Sequence, residues 1–236
     1  MPSPRFTAKT LTFLRQLKRH NDREWFRAHK DQYDAYVRAP MVEMIEQLAT
    51  DLPAFAPDLV ATPKLSMYRI YRDTRFSHDK TPFKTHVSAV FPNRVLTKHG
   101  GSGLYFHVAT DHVMVGAGIY APEPRQLYHL RQHVSANLKR FRAVVESPAF
   151  QHSFGGVNGQ RLKRIPKGFD ADDPAAEYLK FRQFLAGTER PADFATRPRF
   201  YGSLKRLFEQ LAPFVRFLNE PLTNTPARNL TQLTSV

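Results

Sequence analysis

Residues 104–120, Leu-Tyr-Phe-His-Val-Ala-Thr-Asp-His-Val-Met-Val-Gly-Ala-Gly-Ile-Tyr, predict a β-hairpin. Apolar and polar side chains alternate from Leu104 to Ala109 and again from Val113 to Tyr120. Such alternation is typical of strands with one buried face. Only Thr110-Asp111-His112 separates the two segments, which is a connection of hairpin length. We therefore expect an antiparallel pair of strands.

The two faces of this hairpin carry different side chains. The apolar residues of 104–108 share one face, whereas Tyr105 and His107 lie on the other. Gly116 and Gly118 fall on the face with the polar groups. A glycine inside a strand marks a bulge or a close approach by a ligand or another element. The glycines therefore indicate either the floor of a pocket or a packing contact.

Helical and extended patterns flank the hairpin. Apolar residues at helical spacing predict helices over about the first 50 residues, over Pro124–Glu146, from Asp173 to Phe184 and near the C-terminus. Further strands are predicted at Leu65–Arg72 and Thr85–Phe91. We expect an α+β fold with a mainly antiparallel sheet, an N-terminal helical segment and C-terminal helices packed on the sheet. Pro213 should kink or divide the last helix.

Composition predicts the domain organisation. The chain has 236 residues, of which 42% are hydrophobic and 12% aromatic, and this is enough apolar material for a substantial core. We expect a single α+β domain over residues 1–222, followed by a polar C-terminal tail over residues 223–236.

The sequence also limits the classes of function and location. It contains no cysteine, which excludes disulfides, thiolate metal sites and a cysteine nucleophile. No segment approaches the roughly 20 apolar residues that span a bilayer, and the N-terminus has no apolar stretch of signal-peptide length. These features predict a soluble, cytoplasmic protein with no membrane partner.

The densest cluster of charge is the run Arg69-Ile-Tyr-Arg-Asp-Thr-Arg-Phe-Ser-His-Asp-Lys-Thr-Pro-Phe-Lys-Thr-His86. It holds five permanent cations, two carboxylates and two histidines, in a chain whose net charge is +14. Guanidinium groups match the planar geometry of carboxylates and phosphates. The run therefore predicts either an anion-binding site or an internal network of ion pairs.

We expect the run to organise a basic cleft for a small ligand that carries a phosphate or a carboxylate. The predicted ligand-binding residues are Arg72, Arg75, Lys80, Lys84, His107, Lys163 and Lys167. The predicted orienting residues are Asp73, Asp79 and Arg69. Arg69 falls on a largely apolar face if the segment is a strand, and a buried charge needs a partner, for which Asp73 and Asp79 are nearest in sequence.

The chain resembles the domain of unknown function 2461 family, conserved uncharacterised proteins with an RDxRFxxDKxPxK signature. The residues that carry the resemblance are Arg72-Asp-Thr-Arg75-Phe76, Asp79-Lys80-Thr-Pro82-Phe-Lys84-Thr-His86, Gly116-Ala-Gly118-Ile-Tyr120 and Leu162-Lys163-Arg-Ile-Pro166-Lys167-Gly168-Phe169. The resemblance extends up to about Asn219, and it implies no particular activity.

Two other functions compete with small-anion binding. Aromatic residues between the cations of the run favour nucleic-acid binding through phosphate contacts and base stacking. The run is alternatively a structural ion-pair network. No metal-binding or nucleophile motif is present, so the sequence assigns no catalytic residue, no metal and no cofactor.

Overall fold

The fold is built on a four-stranded antiparallel sheet with strand order β1-β2-β3-β4. The computed structural model describes residues 4–223. The strands are β1 (Val87–Phe91), β2 (Gly103–Val108), β3 (His112–Ile119) and β4 (Phe184–Pro191). The predicted hairpin is confirmed, because β2 pairs with β3 and Val108 lies opposite Val113.

The N-terminal segment is helical, as predicted. Its helices are α1 (Ala8–Arg19), α2 (Arg23–Ala28), α3 (Lys30–Tyr33) and α4 (Ala39–Phe55), with a π-helical turn at Asp34–Arg38. Asp22 caps α2, since its carboxylate accepts a hydrogen bond of 2.8 Å from the Trp25 amide.

Further helices precede the sheet, connect its strands and follow it. They are α5 (Pro63–Ser66), α6 (Pro124–Ala136), α7 (Leu138–Val145), α8 (Pro148–Phe154), α9 (Ala176–Leu179) and α10 (Phe200–Thr223). A short 3-10 helix at Ala192–Thr196 follows β4. None of the helices within residues 4–223 combines the length and the apolarity needed to cross a membrane.

The core lies between one face of the sheet and α10. Phe91 and Phe106 point from β1 and β2 toward Phe208 of α10, at ring-centre distances of 5.6 and 6.3 Å. All three side chains are fully buried. Edge-to-face packing of such rings stabilises beyond the burial of their area. The apolar face predicted for the hairpin is therefore the core face of the sheet.

The expected division of the last helix does not occur, because α10 continues through Pro213. A proline inside a helix costs about 3 kcal/mol. Here Phe214, Val215 and Leu218 are buried on the following turn, and their burial offsets that cost.

The predicted strand at Leu65–Arg72 is wrong. Thr62 and Pro63 start the helical turn α5, in which the Thr62 hydroxyl caps the Leu65 amide at 3.3 Å. The following residues run alongside β1, and Met67 forms an isolated bridge with Ala89.

The placement of Arg69 on a largely apolar strand face is also wrong. Arg69 is exposed, while the next residue, Ile70, is buried. Among residues 4–223, Arg69 makes no ion pair, so the predicted pairing with Asp73 or Asp79 does not form. Because α5 precedes this segment, the alternation of its side chains is shifted, and Ile70 faces the core while Arg69 faces solvent.

Two other predicted helices differ from the structure. The helix expected from Asp173 to Phe184 is reduced to α9, and Phe184 begins β4, whose backbone pairs with β3 along its whole length. The helix expected over Pro124–Glu146 breaks at Asn137, where the side-chain amide donates a hydrogen bond of 3.0 Å to the carbonyl of His133. Of the predicted polar tail only Thr223 is described, and residues 224–236 lie outside the described part of the chain.

Candidate functional site

The face of the sheet opposite the core forms the floor of a cleft of about 630 Å³, which we call the sheet cleft. Outward-facing positions of all four strands line it, together with the extended segment before β1 and the β1–β2 loop. The polar side chains in its lining are Tyr68, Lys84, His86, Ser88, Lys98, His99, Tyr105, His107, Tyr120 and Asn158.

Glycines leave the floor of the sheet cleft open. Gly103 lies opposite Gly118 across β2 and β3, and Gly116 lies opposite Gly187 across β3 and β4. Gly118 has a φ of +129°, and a Cβ at this position would overlap the carbonyl oxygen of Phe184. Only glycine fits there, since side-chain-bearing residues rarely adopt this backbone conformation. Gly116 and Gly118 therefore line the cleft and also lie closely against the backbone of β4, so both outcomes that the sequence left open are present.

Phe83 places Lys84 in the cleft. The Phe83 ring is buried and stacks on Phe26 at 4.2 Å between ring centres. Asn21 anchors the Phe83 backbone with two hydrogen bonds of 3.0 Å, one donated by its amide nitrogen and one accepted by its oxygen. Because successive residues of an extended chain face opposite sides, Lys84 points away from that core contact and into the cleft.

Lys98 reaches the cleft from the loop between β1 and β2. Asn219 of α10 anchors this loop, since its side-chain oxygen accepts from the Ser102 amide at 2.8 Å and its nitrogen donates to the Ser102 carbonyl at 3.0 Å. The Lys98 ammonium in turn donates to the carbonyl of Leu65 at 2.5 Å. The loop therefore holds Lys98 against α5.

Lys84 and Lys98 lie on the ring of Tyr68. Their nitrogens are 5.1 and 4.3 Å from its centre, which is cation–π distance. Within residues 4–223 the Lys84 ammonium has no hydrogen-bond acceptor and no ion-pair partner. No Asp or Glu of the described chain lines the sheet cleft.

Burial and like charges destabilise the charged forms of both lysines. Partial burial lowers the pKa of Lys84, and the positive charge of Arg69 lowers it further. Partial burial likewise lowers the pKa of Lys98, with Lys84 as the second cause. The two ammonium groups therefore repel each other without a carboxylate to compensate them.

Four side chains form a continuous hydrogen-bonded chain from the cleft to solvent, which we call the Tyr105–Asp111 relay. The Tyr105 hydroxyl lies 3.0 Å from Nδ1 of His107. Nε2 of His107 lies 2.9 Å from Nε2 of His112. Nδ1 of His112 lies 2.8 Å from the exposed carboxylate of Asp111. One proton assignment satisfies every contact with neutral imidazoles: Tyr105, His107 and His112 each donate toward Asp111.

The relay is uncharged at its buried end. Burial lowers the pKa of His107 to about 4, and the nearby His86 and His112 contribute in the same direction. The His86 ring lies 5.0 Å from the His107 ring, and its pKa is also lowered, first by burial and then by Lys84. Burial raises the pKa of Tyr105. At neutral pH the buried end of the relay therefore presents the neutral Tyr105 hydroxyl and the neutral imidazole of His107 to the cleft.

The structure brings together two of the ligand-binding residues predicted from sequence, Lys84 and His107. The others do not line the sheet cleft. Lys163 and Lys167 are exposed in the connection between α8 and α9. Arg72, Arg75 and Lys80 lie on a surface segment, residues 72–82, which we call the arginine loop.

The cations of the arginine loop have partners inside the loop. Arg72 forms an ion pair with Asp79 and a hydrogen bond with the hydroxyl of Thr81. Arg75 contacts both carboxylate oxygens of Asp73, at 3.0 and 2.8 Å. Asp79 and Asp73 therefore contact the arginines as expected from sequence, while their orienting role toward a ligand stays a prediction.

Lys80 is also bound within the loop, since its ammonium donates to the carbonyl of Thr74 at 3.0 Å. The tip of the loop carries Phe76, whose side chain is 94% exposed.

Sequence reasoning missed Tyr68, His86 and Lys98 as cleft residues. His86 had a detectable signal, because it lies two positions after Lys84 and shares its side of an extended chain. Lys98 had no such signal in the sequence, since only the path of the β1–β2 loop brings it to the cleft.

Among residues 4–223, no group of three or more His, Asp or Glu side chains is placed to hold a metal ion. The fold and the site define an α+β protein with an open cleft on one face of an antiparallel sheet. A family model described as "Conserved hypothetical protein (DUF2461)" matches residues 9–217. The chain belongs to this family, and the resemblance noted in the sequence is confirmed. A search of curated proteins finds no match.

Proposed function

We propose that the protein binds a small anionic ligand, bearing a phosphate or a carboxylate, in the sheet cleft. The observation that carries the proposal is the presence of Lys84 and Lys98 in a lining to which no described Asp or Glu contributes. Uncompensated cations in a cleft with low-dielectric walls attract anions and concentrate them locally. An anion between the two ammonium groups would also relieve their mutual repulsion.

The rest of the cleft suits a small organic molecule. Its volume of about 630 Å³ falls within the range of ligand pockets, about 300–1,000 Å³. The glycine floor offers flat backbone, and Tyr68, Tyr105 and Met114 supply apolar and aromatic walls. The ligand would therefore place its anionic group at the lysines and its less polar part over the glycines.

The arginine loop is less favoured as the binding site. Its arginines already pair with Asp79 and Asp73. An incoming anion would have to compete with carboxylates of the same loop, which favours the structural ion-pair role for Arg72 and Arg75.

Nucleic-acid binding is a second candidate, and the exposed ring of Phe76 beside Arg75 favours it. Aromatic rings stack on bases, and neighbouring cations contact phosphates. Binding of this type would weaken steeply with salt.

A ligand screen by thermal shift tests the proposal. Its members are inorganic phosphate, sugar phosphates, nucleotides, dicarboxylates and short single-stranded oligonucleotides, at low and moderate salt. Saturable stabilisation by a small anion is expected, reaching about 2.7 kcal/mol at a concentration 100 times the Kd. Lys98→Gln should weaken that binding by about tenfold or more. Lys80→Gln, which removes the matched cation of the arginine loop, should leave it unchanged.

Three outcomes contradict the proposal. Loss of binding in Arg72→Ala/Arg75→Ala with no effect of Lys98→Gln would move the ligand to the arginine loop. Stabilisation only by oligonucleotides and only at low salt would favour the second candidate. The absence of any saturable stabilisation would favour a structural role for the cations.

A further inference from the structure

Lys84 differs from Lys98 in how its amine is held. Lys98 donates to the carbonyl of Leu65 at 2.5 Å, a hydrogen bond that stabilises the charged ammonium. Among the described residues the Lys84 amine has no acceptor, and its contact in the cleft is the face of Tyr68. Of the two, Lys84 is therefore the amine that is free to react with a bound molecule.

The surroundings of Lys84 favour its neutral form. The charged or titratable groups around it are Tyr68 and Arg69 on the adjacent extended residues, His86 on its own segment, Lys98 and His99 on the β1–β2 loop, and Tyr105 and His107 on β2. None of them carries a negative charge at neutral pH. A lysine that is partly desolvated beside other cations is the usual setting for an amine that attacks carbonyl groups.

We propose that Lys84 forms an imine with a ligand that carries an aldehyde or ketone together with an anionic group. The inference rests on the proposed function, because Lys98 is assigned to the anionic group and thereby orients the carbonyl toward Lys84. The ligand class is that of small oxo acids and carbonyl-bearing phosphate esters.

The reaction is balanced without any oxidant or reductant. The neutral Nζ of Lys84 attacks the carbonyl carbon, and the carbonyl oxygen takes up a proton to give a carbinolamine. The nitrogen then loses its protons as the C–O bond breaks, and the hydroxyl leaves as water after gaining a second proton. The products are one C=N bond and one water molecule.

The Tyr105–Asp111 relay removes a proton that the Lys84 nitrogen loses during imine formation. Its inner end, the Tyr105 hydroxyl, lines the same cleft as Lys84, and its outer end at Asp111 is exposed to solvent. The Tyr105 hydroxyl takes up this proton and passes its own to Nδ1 of His107. Nε2 of His107 then passes a proton to Nε2 of His112, and Nδ1 of His112 passes one to Asp111. The relay thus connects the inner wall of the cleft to solvent at Asp111.

Reductive trapping tests the inference on the intact protein. The protein is incubated with glyoxylate, an anionic aldehyde, or with propanal, a neutral aldehyde, in the presence of sodium cyanoborohydride. The hydride converts an imine to a stable secondary amine, and mass spectrometry of chymotryptic peptides locates it. The rate at Lys84 is divided by the rate at Lys139, an exposed lysine of α7 in the same sample.

With glyoxylate we expect this ratio to be about ten or more, since a bound anion raises the local concentration of its own aldehyde. With propanal the ratio should be several times smaller. Lys98→Gln should lower the glyoxylate ratio toward the propanal value. Lys84→Arg, which keeps the charge, should abolish labelling at position 84 while leaving the melting temperature unchanged.

The outcomes separate this inference from the proposed function. If Lys84 reacts no faster than Lys139 with either aldehyde, imine formation is overturned, whatever anions bind in the thermal-shift screen. If Lys84 reacts faster than Lys139 but equally fast with both aldehydes, imine formation at Lys84 is supported. The requirement for an anionic group on the ligand is then overturned.

Discussion

The arginine loop and the sheet cleft are both rich in cations, but only the loop supplies carboxylates to balance them. Arg72 and Arg75 pair with Asp79 and Asp73 within the loop. Lys84 and Lys98 line a cleft that no described Asp or Glu enters. The comparison teaches that the density of charge along a sequence does not locate a binding site. What matters is whether an opposite charge lies within reach.

The two regions also differ in what holds their shape. The floor of the cleft is backbone, formed where Gly103 faces Gly118 and Gly116 faces Gly187 across the strands. The arginine loop is held by side-chain contacts on the surface. Substitutions in the floor should therefore have much larger effects than substitutions in the loop.

The largest effect is expected for Gly118→Ala, at the floor of the cleft. The added Cβ would overlap the Phe184 carbonyl oxygen, and the φ of +129° is unfavourable for alanine. Backbone strain and steric overlap together should lower the free energy of unfolding by about 4 kcal/mol. Chemical denaturation measures this loss.

Gly202→Ala is the matched control. Gly202 lies in α10, where a Cβ would meet nothing within 4 Å, so alanine should stabilise the protein by about 0.5–1 kcal/mol. Equal stabilities of the two variants would show that the floor does not require glycine.

The second effect separates the regions by pH. Burial lowers the pKa of His107 from 6.5 to about 4, so between these values the unfolded chain binds more protons than the folded one. The contribution of His107 to the free energy of unfolding should therefore fall by about 3 kcal/mol in all as the pH drops from about 6.5 to 4. The free energy of unfolding, measured by denaturation at each pH, follows this loss.

The loop should respond in a more acidic window. A hydrogen bond from Arg75 lowers the pKa of Asp73 to about 2, and one from the Thr81 amide, with Arg72 as the next cause, lowers that of Asp79 to about 2. The contribution of these carboxylates is present above their ordinary pKa of 3.8 and is lost as the pH falls through about 2.

Two variants act as controls for the pH windows. His107→Gln should flatten the upper window alone, and Asp73→Asn should weaken the lower one alone. A single transition shared by both variants would contradict the separation of the two regions.

A smaller effect is expected for Tyr105→Phe, which removes the inner donor of the relay. Loss of one partly buried hydrogen bond should lower the free energy of unfolding by about 1 kcal/mol. ¹⁵N NMR should show His107 protonated at Nε2 and His112 at Nδ1 in the wild-type protein, as the relay requires. In the variant His107 should lose this single tautomer. An unchanged tautomer would show that Tyr105 does not set the direction of the relay.

The smallest effect is expected in the arginine loop itself. Arg72→Ala should lower the melting temperature by less than about 3 °C, because surface ion pairs contribute little. Arg75→Ala should change it even less, since the Arg75 side chain is 77% exposed and that of Arg72 only 26%. Differential scanning calorimetry compares both variants with Arg72→Lys. A collapse of folding in either alanine variant would make the loop a structural element as essential as the cleft floor.

Local patterns in the sequence predicted much of the sheet and part of the site. The alternation in residues 104–120 was sufficient to place Tyr105 and His107 on the face opposite the core, beside Gly116 and Gly118. This succeeded because strand geometry repeats every two residues, so neighbours in sequence determine which side each residue faces.

Other parts of the fold depended on contacts that no local pattern records. The helix predicted from Asp173 reached Phe184, the first residue of β4, and no local pattern predicted the strand, which is defined by its pairing with β3 far away in the chain. The extended segment after α5 lost its predicted register because Thr62 and Pro63 begin a helical turn. In both cases tertiary hydrogen bonds or a helix cap outweighed the apolar pattern.

The sequence by itself determined the family, the antiparallel hairpin and a chain rich in cations. Tertiary structure alone decided which cations are compensated, because electrostatic pairing depends on distances of a few ångströms that the whole fold sets. The fold places Arg72 in an ion pair with Asp79 within the loop. It also places Lys98 and Lys84 over the same ring, that of Tyr68, in the cleft. It also aligned glycines from three strands into one floor, since strand register places residues from distant parts of the chain side by side.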